Sequence, residues 1–146
     1  MLLEKQSQKD ISTSTFMSGW YAILPGKEVK KQKPLAIKRL NLDLVLWRDQ
    51  HNTLHCMLDK CPHRGAKLSL GKIEENCLKC PYHGFSFASD GHCQLAPEFK
   101  KPLPGLVVKT FSLKEFSGMI WLYHGNNPVE FKCEKLSAIH QQFPKS

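Results

Sequence analysis

The sequence lacks long hydrophobic segments. Its best apolar run, 119–123, is far shorter than the roughly 18 residues that a membrane-spanning helix requires. Charged and amide residues interrupt the first six positions, so no apolar core of an export signal is present there. We therefore expect no membrane association and a cytoplasmic location, in which cysteine thiols stay reduced.

Other chemical features are missing too. There is no glycine-rich dinucleotide-binding loop, so we do not expect the chain to take hydride from a nicotinamide by itself. Basic residues outnumber acidic ones by 21 to 13, a formal charge of +8, but they form no basic stripe interleaved with aromatic residues. We therefore expect no nucleic-acid binding. The positive charge either steers an acidic protein partner or is an ordinary solvated surface.

What is present is typical of one small globular domain. The 146 residues suit a single domain, and 41% hydrophobic with 23% charged residues is an ordinary soluble composition. We expect a polar tail over 1–17, the domain over 18–125 and a polar C-terminal tail over 126–146.

Short apolar segments separated by turn signals predict an all-β fold. The predicted strands cover 20–24, 35–40, 42–48, 53–58, a hairpin within 72–79, 85–87, 106–113 and 119–123. Three prolines, at 97, 102 and 104, predict an extended connector over 94–105.

Two short stretches offer four metal-binding side chains. CPHRGAKLSLG at 61–71 supplies Cys61 and His63, and CPYHGFSF at 80–87 supplies Cys80 and His83. Two thiolates and two imidazoles could bind one tetrahedral zinc ion. They could instead bind two irons bridged by two sulfides, with both cysteines on one iron and both histidines on the other.

These stretches, with DGHC at 90–93, resemble the Rieske family, and within it the Rieske non-haem iron oxygenases and their ferredoxins. The resemblance extends more weakly over 20–125. It implies a fold of small antiparallel sheets that holds one [2Fe-2S] cluster between two loops. It also implies that Cys61 and Cys80 bind one iron and that His63 and His83 bind the other. A zinc-stabilised interaction module is the less favoured alternative, because zinc fingers usually place both cysteines before both histidines.

The resemblance also predicts a low reduction potential. Respiratory-chain members have a disulfide where this chain has Ala66 and Tyr82. They also have serine and tyrosine hydroxyls, which hydrogen-bond to the cluster sulfurs, where this chain has Phe85 and Phe87. Because fewer donors leave added negative charge less stabilised, we expect a potential near the low end of the Rieske range, about −150 mV.

No catalytic residues are expected in this chain. Rieske oxygenases continue into a domain with a mononuclear iron site, and we expect this chain to stop where that domain would start. The resemblance implies a one-electron carrier between an NAD(P)H-dependent reductase and a terminal oxygenase or oxygenase domain. The alternative is a Rieske subunit, or a truncated N-terminal domain, of such an oxygenase, in which His83 would pass the electron on. Arg64 either stabilises its loop or docks a partner.

Overall fold

The computed structural model describes residues 16–132. Ten short strands in this range form three antiparallel sheets, so the all-β prediction of small antiparallel sheets is confirmed. The strands are β1 (Gly19–Pro25), β2 (Leu35–Arg39), β3 (Leu42–Arg48), β4 (Leu54–Leu58), β5 (Lys72–Glu74), β6 (Cys77–Lys79), β7 (Ser86–Phe87), β8 (Cys93–Leu95), β9 (Leu113–Phe116) and β10 (Met119–His124). Two single 3₁₀ turns are η1 (Gly26–Glu28) and η2 (Leu68–Leu70).

The two polar tails fall largely outside this range. Residues 1–15 and 133–146 lie outside the described part of the chain, so the predicted tails are seen only at 16–17 and 126–132. Between 16 and 132, no helix has the length and apolar character needed to cross a bilayer.

Sheet A has the order β1-β10-β9, and sheet B is the meander β2-β3-β4, whose strands match the predicted segments 35–40, 42–48 and 53–58. Strand β3 separates two hydrophobic cores, because successive side chains of a strand point to opposite faces. Leu44 and Leu46 pack with sheet A, whereas Val45 and Trp47 face the cysteine loops. All four are fully buried. The core against sheet A also contains Leu24, Ile120 and Leu122. The core beneath the cysteine loops also contains Met57, Leu68, Phe85 and Phe87.

Sheet C has the order β5-β6-β7-β8, and its strands contain only two or three residues each. The predicted hairpin within 72–79 is confirmed, with Glu75 and Asn76 forming its turn at positive φ. This hairpin carries the chain from the end of the first cysteine loop to Cys80. Sheet C is therefore the scaffold of the second loop.

A buried arginine at the end of β3, Arg48, joins sheets A and B. The Arg48 guanidinium donates to the carbonyls of Val29 and Gly26, both at 2.9 Å. It also donates to both carboxylate oxygens of Glu115, at 2.9 and 3.1 Å. Since Gly26 follows β1 and Glu115 lies in β9, this one side chain ties three segments together.

The predicted strand over 106–113 is wrong in most of its length. Only Leu113 belongs to a named strand, β9, because the preceding segment changes partner along its course. Its first part bonds to the β8 side, with Val108 donating to the Gly91 carbonyl at 2.8 Å. Its second part bonds to the edge of β4, with Phe111 donating to the Cys56 carbonyl at 3.1 Å. Strand β8 was also missed, since it overlaps the start of the predicted connector.

Candidate metal centre

The two cysteine loops have the same backbone fold. In each, the cysteine N–H donates to the carbonyl five residues later, and the glycine four residues after the cysteine donates back to the cysteine carbonyl. The distances are 2.7 Å for Cys61 to Ala66, 2.7 Å for Gly65 to Cys61, 2.8 Å for Cys80 to Phe85 and 3.2 Å for Gly84 to Cys80. Each loop is thus a turn closed by two hydrogen bonds, and the cysteine takes part in both of them.

Glycine is required where each turn closes. Gly65 and Gly84 have φ of +77° and +72°, in the left-handed region that other residues rarely adopt. A lysine side chain lies beside each glycine: Lys60 Cε is 3.5 Å from the position of a Cβ at Gly65, and Lys79 Cε is 3.2 Å from that at Gly84. Each of these lysines directly precedes its cysteine, so the two loops are equivalent in this detail as well.

The loops differ in the position of the histidine. His63 stands two residues after its cysteine, and His83 stands three residues after. The first imidazole is half-buried and the second is exposed. Their ring centroids lie 5.3 Å apart at an interplanar angle of 85°, so the structure brings both predicted histidines together near the surface.

The Phe85 ring stacks on the His63 ring. The two rings are almost parallel, with 4.2 Å between centroids and 15° between planes. The Phe85 side chain is itself 1% exposed and belongs to the core beneath the loops. One face of His63 is therefore covered by an apolar ring, whereas His83 meets solvent.

The two thiols are buried side by side. Cys61 and Cys80 are 1% and 4% exposed, and their side chains are hydrogen-bonding neighbours. Burial raises the pKa of the Cys61 thiol to about 11; the backbone N–H groups of His63 and Arg64 oppose this rise, and Cys80 adds to it. The thiolate form that a metal needs therefore depends on the charge of the metal itself.

The four side chains form two pairs. Among the Cys, His, Asp and Glu residues in 16–132, no three converge in the way that ligands of one metal ion would. An inner pair of thiols and an outer pair of imidazoles suits two metal ions with two protein ligands each better than a single tetrahedral zinc ion. The donor set therefore fits a sulfide-bridged two-iron cluster.

The buried carboxylate of Asp59 forms hydrogen bonds across the first loop. Asp59, 6% exposed, accepts hydrogen bonds from the Ser69 N–H at 2.7 Å and the Ser69 hydroxyl at 2.6 Å. The bond spans the loop, because Asp59 precedes Cys61 by two residues and Ser69 lies in η2. Sequence reasoning missed this pair. The serine within the quoted motif and an acidic residue two positions before the cysteine were the available signals.

A third segment flanks the second loop. The predicted connector turns sharply after β8: Ala96 and Lys101 form a bridge, and the Phe99 N–H donates to the Ala96 carbonyl at 2.9 Å. Pro97 opens this turn and lies 3.4 Å from the Cβ position of Gly84. The turn 97–101 is therefore in contact with the second loop, which the sequence did not suggest.

Three further cysteines of residues 16–132 lie outside the two loops. Cys56 and Cys93 are buried, as is usual for free cysteines, which pack as small hydrophobic residues, whereas Cys77 is only half-buried. All five cysteines between 16 and 132 are free thiols. Cys133 lies outside the described residues.

Known proteins match this domain in sequence. A family model for the Rieske [2Fe-2S] domain matches residues 19–116. "Protein TIC 55, chloroplastic" of Pisum sativum is 32% identical over 124 residues, covering 82% of this chain and 22% of that protein. The 3-chlorobenzoate-3,4-dioxygenase oxygenase subunit of Comamonas testosteroni is 30% identical over 128 residues, covering 83% of this chain and 29% of the subunit.

Solved structures match the fold. A crystal structure of dicamba monooxygenase superimposes with a TM-score of 0.70 at 34% identity, covering 74% of this chain and 34% of that one. NdmA of Pseudomonas putida CBB5 superimposes with a TM-score of 0.67 at 37% identity, covering 73% and 34%. The chain thus spans about a fifth to a third of the length of these relatives.

Proposed function

Because this chain belongs to the Rieske [2Fe-2S] domain family, we propose that it is a one-electron transfer unit of an oxygenase system. Membership implies one Rieske-type [2Fe-2S] cluster with cysteine and histidine ligands. When bound, that cluster takes up and releases single electrons. The observation that carries the proposal is the paired arrangement of buried thiols and outer imidazoles, with one imidazole open to solvent.

We propose Cys61 and Cys80 as ligands of one iron, and His63 and His83 as ligands of the other. Burial of the thiols keeps water from their sulfurs, and the parallel Phe85 ring fixes the plane of His63. The closed turns support the assignment, because each sets its cysteine and histidine on one short, internally bonded loop. The exposed His83 is the proposed exit for the electron.

A low potential, about −150 mV, is part of the proposal. Its support is the pair Phe85 and Phe87, which are buried at 1% and 0% exposure. Neither side chain has a hydroxyl group that could donate a hydrogen bond to the cluster and stabilise its reduced state. A redox titration that gave a potential well above zero would count against this part.

The proposed partners are an NAD(P)H-dependent reductase and a terminal oxygenase or oxygenase domain. Support comes from relatives whose names describe oxygenase parts, such as the chloroacetanilide N-alkylformylase oxygenase component of Rhizorhabdus wittichii, 36% identical over 109 residues. A cytoplasmic location stays a prediction, and the free thiols within 16–132 suit a reducing compartment.

A second candidate is the Rieske subunit or N-terminal domain of an oxygenase. The specific observation in its favour is that the chain matches about a fifth to a third of each relative. A neighbouring gene that encodes a mononuclear-iron domain without a Rieske domain would favour the subunit.

One experiment separates the cluster from zinc. Protein reconstituted with iron and sulfide is reduced with dithionite, and its electron paramagnetic resonance spectrum is recorded with iron and zinc analysis of the same sample. We expect a rhombic signal of low average g and about two irons per chain. His83→Ala should lose this signal, whereas His92→Ala, at an exposed histidine outside the two loops, should keep it. One zinc per chain and a silent spectrum would overturn the proposed function.

A further inference from the structure

A cavity lies where the segment 109–113 passes from the edge of β4 to β10. Phe111 bonds to the Cys56 carbonyl of β4, and one residue later the Ser112 carbonyl accepts from the Tyr123 N–H of β10 at 3.0 Å. The volume between them is about 330 Å³, at the lower end of the roughly 300–1,000 Å³ of small-molecule sites. None of its lining residues belongs to 61–71 or 80–87, so the cavity is separate from the metal centre.

The lining is positively charged. Within residues 16–132 it contains Lys109 and His55 but no aspartate or glutamate. The Lys109 ammonium lies 5.8 Å from the centroid of the Phe111 ring, which also lines the cavity, and this is a cation–π contact. No carboxylate of residues 16–132 lies within ion-pair distance of Lys109. The wall of the cavity therefore carries a cation that no acidic side chain of this range neutralises.

His55 is oriented by an acid that does not line the cavity. Its Nε2 lies 2.8 Å from Asp49 Oδ2, and Asp49 Oδ1 accepts from the N–H groups of His51 and Thr53. The His55 ring also packs on Trp47, with 4.7 Å between the ring centroids. The carboxylate is thus fully engaged within the protein. The other ring nitrogen, Nδ1, has no partner among residues 16–132 and is left for a further hydrogen bond.

Four hydroxyl groups of the lining have no partner either. They belong to Ser89, Thr110, Ser112 and Tyr123, and none of them forms a hydrogen bond with another group of residues 16–132. Tyr123 is the informative one, because it is only 6% exposed. A buried tyrosine hydroxyl usually has a hydrogen-bond partner. The partner that the protein does not supply here is expected from a molecule in the cavity.

We propose that this cavity binds a small organic anion, with one carboxylate or phosphate group on a short apolar body. The anionic group accepts hydrogen bonds from Lys109, from protonated His55 and from the free hydroxyl groups. The apolar body packs on Leu54, Phe111 and Leu113. The volume equals that of about eleven water molecules at about 30 Å³ each, which is more than a bare oxyanion fills. Binding is non-covalent and does not depend on the proposed electron transfer.

Isothermal titration calorimetry of the cluster-loaded full chain tests this inference. Benzoate and phenyl phosphate present the two anionic groups on the same ring. Benzamide is the uncharged analogue of benzoate, and inorganic phosphate is the anion without a body. We expect at least one of the two aromatic anions to bind with a Kd of about 1 mM or below. Benzamide and inorganic phosphate should bind about tenfold more weakly, because each lacks one half of the recognition.

Three variants locate the site. Lys109→Met removes the charge and keeps the length of the side chain, and Tyr123→Phe removes only the hydroxyl group. The matched control is Lys38→Met, at an exposed lysine of β2 that does not line the cavity. We expect the Kd of the aromatic anion to rise about tenfold in Lys109→Met and about threefold or more in Tyr123→Phe, and to stay within about twofold in the control. All three should keep the thermal midpoint and the cluster spectrum of the parent, which shows that they fold.

Each outcome decides the inference. Binding of benzoate alone or of phenyl phosphate alone identifies the anionic group and supports it, provided that Lys109→Met weakens that binding. No heat from either anion up to about 10 mM would overturn it. Benzamide that binds as tightly as benzoate would show an apolar cavity without preference for charge, and this also overturns it. Equal affinities of the parent and Lys109→Met would place the anion elsewhere on the protein, with the same consequence.

Discussion

Gly71 lies against the backbone carbonyl of Lys79 so closely that no side chain fits between them. Gly71 ends the first cysteine stretch and Lys79 directly precedes Cys80, so this contact sets the distance between the two loops. The φ of Gly71 is −86°, which any residue can adopt. Its requirement for glycine is therefore steric and not conformational.

Gly71→Ala should consequently destabilise the protein by about 1–3 kcal/mol, the usual cost of overpacking, and weaken retention of the cluster. The measurement is the urea midpoint, followed by tryptophan fluorescence on samples with equal cluster loading. Gly105→Ala is the control, because a Cβ there meets nothing within 4 Å. Equal midpoints for the two variants would contradict the steric account.

Phe85→Ala should cost about 3–5 kcal/mol, because it opens a cavity in the core and removes the ring that lies under His63. Phe85→Leu keeps most of the volume and should cost less than about 1.5 kcal/mol, while still removing the stacking. Phe99→Ala, at an exposed ring, should change stability by no more than about 0.5 kcal/mol. Denaturant unfolding of the three variants checks this order, and a Phe85→Ala cost below that of Phe85→Leu would refute it.

Asp59 and Ser69 should show strong coupling in a double-mutant cycle. Asp59→Ala leaves the part-buried Ser69 N–H without its acceptor and should cost about 1–3 kcal/mol, whereas Ser69→Ala removes one donor and should cost about 1–2 kcal/mol. The double variant should cost less than the sum, by about 0.5–2 kcal/mol. Additive unfolding free energies would mean that the bond contributes little to holding the first loop.

The Arg48–Glu115 pair should make stability depend on acid pH. Hydrogen bonds from Arg48 hold the pKa of Glu115 below its ordinary value of about 4.5. A lowered native-state pKa means that the unfolded chain binds the proton more readily. The stabilisation is therefore complete above the ordinary value and disappears as pH falls through the native value.

The unfolding free energy of the parent should thus exceed that of Glu115→Gln by about 1 kcal/mol or less at neutral pH, since the carboxylate is partly exposed. The difference should shrink towards zero as the pH falls below the native-state value. Glu130→Gln, at an exposed acid with no ion-pair partner in residues 16–132, is the control and should track the parent. A difference that grows on acidification would have the wrong sign.

Much of the fold was predictable where pairing is local. The meander β2-β3-β4 joins neighbouring segments through short turns, and the predicted range 42–48 is that of β3. The segment 106–113 was not predictable in the same way, since its two halves bond to strands far apart in the chain. Its apolar pattern reports burial but not the change of partner.

In the candidate site, too, the local features were predictable and the contacts between distant residues were not. The cysteines and histidines could be proposed as ligands because their spacing within each loop is local, and the structure places them in two adjacent pairs. Asp59 lies ten residues from its partner Ser69, and Phe99 approaches the second loop only through the fold of the turn 97–101. Neither position has a residue type unusual enough to predict its contact.

Sheet C has strands of two or three residues, too short for such hairpins to be stable in water by themselves. Its stability therefore depends on the packing of Leu78 and Phe87 in the core beneath the two loops that the sheet supports. We therefore expect iron binding and the ordering of this end of the molecule to be coupled, because binding to a site that the unfolded chain lacks adds to the free energy of folding. Iron-starved chains should exchange the amide hydrogens of β5–β8 rapidly, while those of β3 and β10 stay protected.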